Sequence, residues 1–233
     1  MDLRRALTAP FRDRRWPIAL APVMLAAWLP FLGPLWIAAY AQRVLARAIA
    51  GDETLPPFRL DGHTLRLGAI CHLLTISCGI VAGLLVLPLW PLERETPPAE
   101  AATTALTWAL AGPTHLTATV LQVTLAAICL ARFAATDSAR AALDPGAIWA
   151  HLRAEPAIWI ATSVTGFLIA QFPVTLVWLA PLSAGYRLAL GLAVQALIVP
   201  LAALVQSQLV AQAFAASTST LTWRRARVVR VRW

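Results

Sequence analysis

Apolar residues in this chain gather into five long runs, and every charged side chain lies between those runs or beyond them at the two ends. Residues 17–42, 67–92, 101–131, 156–186 and 188–223 contain no Asp, Glu, Lys or Arg. Each run exceeds the roughly 18–20 residues that cross about 30 Å of hydrocarbon at about 1.5 Å per residue. In lipid a helix satisfies its own backbone hydrogen bonds, so runs of this length predict spanning helices. The pattern predicts an all-α fold, a polytopic integral membrane helical bundle, with residues 1–233 forming a single membrane domain.

Four runs read as transmembrane helices over 67–92, 101–131, 156–180 and 186–216. Gly112-Pro113, Pro173 and Pro200 mark kinks within the last three. The final span is expected to end in Ser217-Thr218-Ser219-Thr220, followed by a basic cytoplasmic tail over 217–233. Residues 1–16 place Leu3, Ala6 and Leu7 at helical spacing before Pro10 interrupts, which predicts an amphipathic surface segment with Trp16 as its interfacial anchor. Residues 51–63 are a turn-rich connector. In 144–155, Asp144 before Pro145 is a helix start. Ile148, Trp149 and Leu152 then form an apolar stripe beside His151 and Arg153. That segment reads either as an interfacial helix on the cytoplasmic leaflet or as a cytoplasmic loop packed on the bundle.

The first run differs from the others because Pro30, Gly33 and Pro34 break it in the middle. Helix over 16–29 covers only about 21 Å, too short to span. The run is therefore one kinked span or a hairpin that returns to its own side. Charge decides between them. All nineteen basic side chains are Arg. A single span leaves twelve of them outside and seven inside, whereas a hairpin leaves only Arg94 and Arg187 outside, beside Glu93, Glu95 and Glu100. Cytoplasmic loops collect arginine, so residues 17–50 are expected to form a re-entrant hairpin in the plasma membrane, with both termini cytoplasmic. Its tip must be buried against protein or meet water.

The chain is 59% apolar and 13% charged, with a net charge of +8. The arginines flank spans instead of forming a patch on a soluble domain, which points to a bilayer with anionic headgroups as partner and away from nucleic acid. A membrane-protein partner or a homo-oligomer fits equally. Cys71, Cys78 and Cys129 all fall inside apolar runs, giving no disulfide framework and no zinc spacing. The first run lacks a small-residue cleavage site and is expected to be retained.

No nucleotide loop, Ser-His-Asp arrangement, intramembrane carboxylate pair or His-Glu-x-x-His occurs, so no catalytic, cofactor-binding or metal-binding residue is expected. His72 and His115 are the ionisable groups within the spans, and such groups are functional candidates. Their different depths argue against joint haem ligation. Gln122, Gln171, Gln195, Gln206, Gln208 and Gln212 carry amides into the bundle. Gln208 and Gln212 share a helix face and read as a polar lining or as interhelical hydrogen bonding. Gly79 and Gly83 form a small-xxx-small pattern that lets helices approach closely.

Ala9-Pro10-Phe11-Arg12-Asp13 with Trp16, then Leu29-Pro30-Phe31-Leu32-Gly33-Pro34, Tyr40, the basic segment 43–47, Gly51 and Leu55-Pro56-Pro57-Phe58 follow one another in a distinctive order. Over residues 5–70 this order resembles the bacterial and archaeal membrane proteins called domain of unknown function 4013; beyond it only the pattern of spans fits. One departure is that the family tends to follow the Leu-Pro element with an aromatic and acidic residues, whereas here Phe58 is followed by Arg59, with Asp61 two further on. The resemblance implies an all-helical membrane protein and no reaction. The expected function is a non-enzymatic scaffold, assembly or membrane-organising subunit. The alternatives are a transporter or channel module, and a lipid-handling or haem-binding membrane enzyme.

Overall fold

Asp2 opens the first helix, α1 (Leu3–Arg12), by accepting a hydrogen bond from the Arg5 amide. The computed structural model describes residues 1–29, 31–52, 54–88, 113–179 and 183–230. Within them follow α2 (Trp16–Ala26), α3 (Leu32–Ile49), α4 (Gly62–Val86), α5 (Pro113–Thr136), the short α6 (Ala139–Ala142), α7 (Pro145–Ala154), α8 (Pro156–Leu179) and α9 (Ala184–Arg230), with no strand among the described residues. Pro30, the loop with Glu93, Arg94, Glu95 and Glu100, and the part of the third run from 101 to 112 lie outside the described residues.

Among the described residues four helical segments are long and apolar enough to cross a membrane: Gly62–Val86, Thr114–Thr136, Pro156–Val177 and Ala189–Thr222. Leu73, Ile76, Ile80, Leu84 and Leu87 form one exposed stripe along α4 and its C-terminal end, as a lipid-facing surface requires. Packing holds the other faces together. Trp159 on α8 is fully buried against Ile128 of α5 and Val210 and Ala213 of α9. Cys71 and Leu74 of α4 meet Phe133 of α5.

Three boundaries differ from the sequence reading. Helix α4 begins at Gly62 instead of 67, because the Asp61 carboxylate caps it by accepting from the Thr64 amide at 2.7 Å. Pro10 does not interrupt α1; it lies buried in the last turns with Ala6 and Ala9, and α1 packs through Ala6 on Val205 and Leu209. Helix α9 does not end at Ser217. It runs on to Arg230, so the expected tail is helical through most of its length. The hydroxyls of Ser217, Ser219 and Thr222 donate back to the carbonyls of Phe214, Ala216 and Thr218, which lets polar residues stay inside a helix. Thr220 also donates to Glu155 at 2.8 Å.

Helices α2 and α3 join through a short turn and share an apolar cluster of Leu20, Val23, Ile37, Tyr40 and Val44, which also takes in Leu204 of α9. Phe31 enters α3 with φ of 62°, a left-handed conformation uncommon outside glycine. Gly33 follows because any Cβ there would run into the Ala26 carbonyl. Pro34 occupies the first turn of α3, where its missing N–H costs nothing. Helix α7 forms as the Asp144-Pro145 signal predicts, with Asp144 accepting from the Gly146 amide at 3.0 Å. Ile148 and Leu152 pack on the bundle while Trp149 faces outward at 60% exposure.

Candidate ligand cavity between the helices

A cavity of about 340 Å³ lies among α3, α4, α5, α8 and α9. The sequence makes room for it by placing small residues along the facing stripes: Ala38 and Ala41, Ala126 and Ala127, Gly166 and Ala170, and Ala203. Between them stand Gln42, His72, Thr75, Gln122, Gln171, Gln206 and Ser207. Apart from those on α3, Gln42 among them, these positions fall in the central stretches of the four candidate spans.

Some of these polar groups are spent within the fold. Gln42 donates from its amide nitrogen to the Leu130 carbonyl at 3.0 Å, tying α3 to α5. Ser207 donates to the Ala41 carbonyl at 3.0 Å and to Ala203 at 2.8 Å. Thr75 donates to Cys71 in its own helix. Among the described residues no protein hydrogen bond engages the side chains of His72, Gln122, Gln171 or Gln206. Three amides and an imidazole thus offer donors and acceptors to the cavity, and among the described residues no Asp, Glu or Arg lines it.

Two of the amides rest on glycines. A Cβ at Gly79 would stand 3.0 Å from Nε2 of Gln122, and one at Gly166 would stand 2.9 Å from Cγ and Cδ of Gln206. Glycine on one helix therefore seats a glutamine on the next, which lets long polar side chains fit between closely packed spans.

Of the residues singled out by sequence, His72 lines the cavity and Gly79 supports it. His115 is buried near the start of the described part of α5 and is not among the lining residues. The two histidines are not brought to one site. Gln208 and Gln212 do not line the cavity either. At about 100° per residue, position 208 lies some 200° around α9 from 206. Gln212 instead pairs with the chain start, accepting from the Asp2 amide at 2.7 Å and donating to its carbonyl at 3.2 Å. Gly83 is exposed, and a Cβ there would meet nothing within 4 Å, so Gly79 and Gly83 do not act as one packing motif. Of the α4 glycines, Gly68 stands closest to another backbone: a Cβ there would collide with the Leu35 carbonyl.

Sequence reasoning missed Gln42 and Gly166. Gln42 sits beside Arg43 in a segment that reads as basic and interfacial. Gly166 has no motif around it, and only the facing Gln206 gives it meaning. Among the described residues no group of three or more His, Cys, Asp or Glu converges to hold a metal.

A family model described as a protein of unknown function, DUF4013, matches residues 23–183. The match starts after the Ala9–Trp16 segment and reaches far beyond 70, through the third and fourth runs. It takes in α3, α4, α5 and α8, every cavity helix except α9. No curated protein and no solved structure matches the chain. Matched over more than half of its length, the chain belongs to the DUF4013 family of proteins of unknown function.

Proposed function

We propose that this multi-pass membrane protein binds an uncharged, hydrogen-bonding amphiphile inside its helical bundle, in a lipid-handling or transport role. The observation that carries this reading is the charge-free cavity faced by the unengaged side chains of His72, Gln122, Gln171 and Gln206. All four residues are partly buried; polar groups facing apolar surroundings cost free energy unless they are paired, and a ligand carrying hydroxyl or carbonyl groups pairs them. A volume of about 340 Å³ falls at the small end of ligand sites and suits a polar headgroup or a single ring. The absence of a lining charge disfavours an ion. A scaffolding role, the first expectation from sequence, leaves these four side chains unexplained.

The same reading retains the membrane placement argued from charge. Residues 17–50 form a re-entrant hairpin, the arginine-rich ends face the cytoplasm, and the bilayer is the plasma membrane. The turn between α2 and α3 and their shared apolar cluster support a hairpin.

The test is extraction of purified protein followed by mass spectrometry of the released molecules. Wild type is expected to carry one uncharged amphiphile in near-stoichiometric amount, and a Gln122→Leu/Gln206→Leu protein of unchanged helix content to lose it. Equal retention by both proteins, or no bound amphiphile in either, overturns the proposal.

A further inference from the structure

We infer that Arg43, Arg47 and Arg59 form a binding site for a phosphate group, carried by an anionic lipid headgroup or present as free phosphate. The three side chains line one concavity of about 320 Å³ between α3 and the extended segment that follows it, completed by Ala46, Pro56 and Pro57. Arg43, Ala46 and Arg47 recur at i, i+3 and i+4, so they share a helix face, and the small Ala46 leaves space between the two guanidiniums. Pro56 and Pro57 stiffen the opposite wall, which is neither helix nor strand, and Arg59 projects from that wall's own segment.

Two of the guanidiniums are anchored by uncharged acceptors. Arg43 donates from Nη2 to the Thr64 hydroxyl at 2.7 Å, while the Thr64 amide is held in turn by Asp61. Arg47 donates from Nη1 to the Thr54 hydroxyl at 2.9 Å and to its carbonyl at 3.3 Å. Each therefore spends one terminal nitrogen on the fold, and a guanidinium has five N–H donors. The remaining donors are oriented without being consumed. Among the described residues the only carboxylate within ion-pair reach of the three is Asp52, 3.9 Å from Arg47, and it is itself engaged by the Thr54 amide and hydroxyl. Among the described residues the three cations thus face Asp52 at that distance and, beyond ion-pair reach, the Asp61 carboxylate, whose charge Arg43 also feels. Planar guanidiniums lining one hollow suit the oxygens of a phosphate, which accept paired N–H bonds. Positive-inside placement alone calls for arginines at this level but not for their convergence on one hollow. The site is separate from the glutamine-lined cavity and does not depend on the function proposed for it.

Native mass spectrometry of the detergent-purified protein tests this inference with phosphatidylglycerol, diacylglycerol and inorganic phosphate as separate probes. Phosphatidylglycerol is expected to add as one discrete equivalent and diacylglycerol not to add. Arg59→Gln, which removes a side chain with no hydrogen bond among the described residues, is expected to weaken the adduct about five-fold. R43Q/R47Q is expected to abolish it, and R224Q/R225Q at the far end of α9 to leave it unchanged. Displacement of the lipid by millimolar inorganic phosphate assigns the site to free phosphate, and failure to displace it assigns the site to lipid; either result supports phosphate recognition. An adduct indifferent to both site variants, equally weakened by R224Q/R225Q, or absent with every probe overturns the inference.

Discussion

Gln206 of α9 rests on Gly166 of α8, so close that a Cβ at 166 would stand 2.9 Å from both Cγ and Cδ of the glutamine. The contact aims the amide into the cavity and sets the distance between two spans at once. Gly166→Ala must push the glutamine aside or part the helices, and overpacking of this kind costs about 1–3 kcal/mol. Gly83→Ala is the control, because its Cβ meets nothing and replacing a mid-helix glycine gains about 0.5–1 kcal/mol. Thermal unfolding in detergent is expected to move in opposite directions for the two variants. Equal shifts would show that the packing of α8 on α9 differs from that described.

Helix α7 is tied to α9 by a pH-sensitive contact. Nδ1 of His151 lies 2.9 Å from the Ser217 hydroxyl, and the ring stacks on Phe214 with centroids 4.9 Å apart. Burial, and then the nearby Arg132 charge, hold the imidazole pKa below its usual value. The unfolded chain therefore takes up this proton more readily, near a pH of about 6.5. Stability from this site is fully present above that pH and declines as pH falls toward the folded-state pKa. The melting temperature is expected to be flat between pH 8 and 7 and to drop below about 6.5. His151→Asn should flatten the drop, and an unchanged profile in that variant would exclude His151 as its source.

Asp144 caps α7 through the Gly146 and Ala147 amides at 3.0 and 3.5 Å. Asp144→Ala is expected to cost about 1 kcal/mol and Asp144→Asn much less, since asparagine caps nearly as well. Amide exchange at the start of α7 is the direct readout. Equal protection in the alanine variant and the wild type would mean that packing of Ile148 and Leu152 alone holds the helix.

The register of α4 on α5 can be read chemically, because the sulfurs of Cys78 and Cys129 lie 3.5 Å apart. Mild oxidation with copper phenanthroline is expected to remove two hydrogens from intact protein, abolished by Cys129→Ser and unaffected by Cys71→Ser. A crosslink that needs Cys71 would place the two helices in another register.

Membrane placement is tested by single cysteines in a cysteine-free background. Leu55→Cys is expected to resist an impermeant thiol reagent applied to intact cells, and Pro97→Cys to react. Labelling at 55 from outside would rule out the re-entrant hairpin and replace it with a kinked span.

The helical membrane class was legible in the charge-free runs, since a bilayer imposes on any chain a length and a polarity that no neighbouring helix can waive. Starts such as Asp144-Pro145 were legible for a similar reason: a cap is satisfied within a few residues. The end of α9 was not, because Ser217 and Thr220 are held in the helix partly by His151 and Glu155, more than sixty residues away.

The cavity was only half legible. Gln122, Gln171 and Gln206 stood out as amides inside apolar runs, yet sequence spacing drew attention to Gln208 and Gln212, which share a face with each other but not with the hollow. A helical period says which residues lie together on one helix. It cannot say which face meets a cavity, because that depends on rotations set by neighbours such as Gly166 under Gln206 and Gly79 under Gln122. By itself the sequence determined that this chain is a bundle of membrane helices, because transfer of apolar and charged groups between water and lipid is decided residue by residue. Which polar side chains converge, around Gln206 or around Arg43, only the tertiary structure decided, because convergence is a property of packed surfaces drawn from distant parts of the chain.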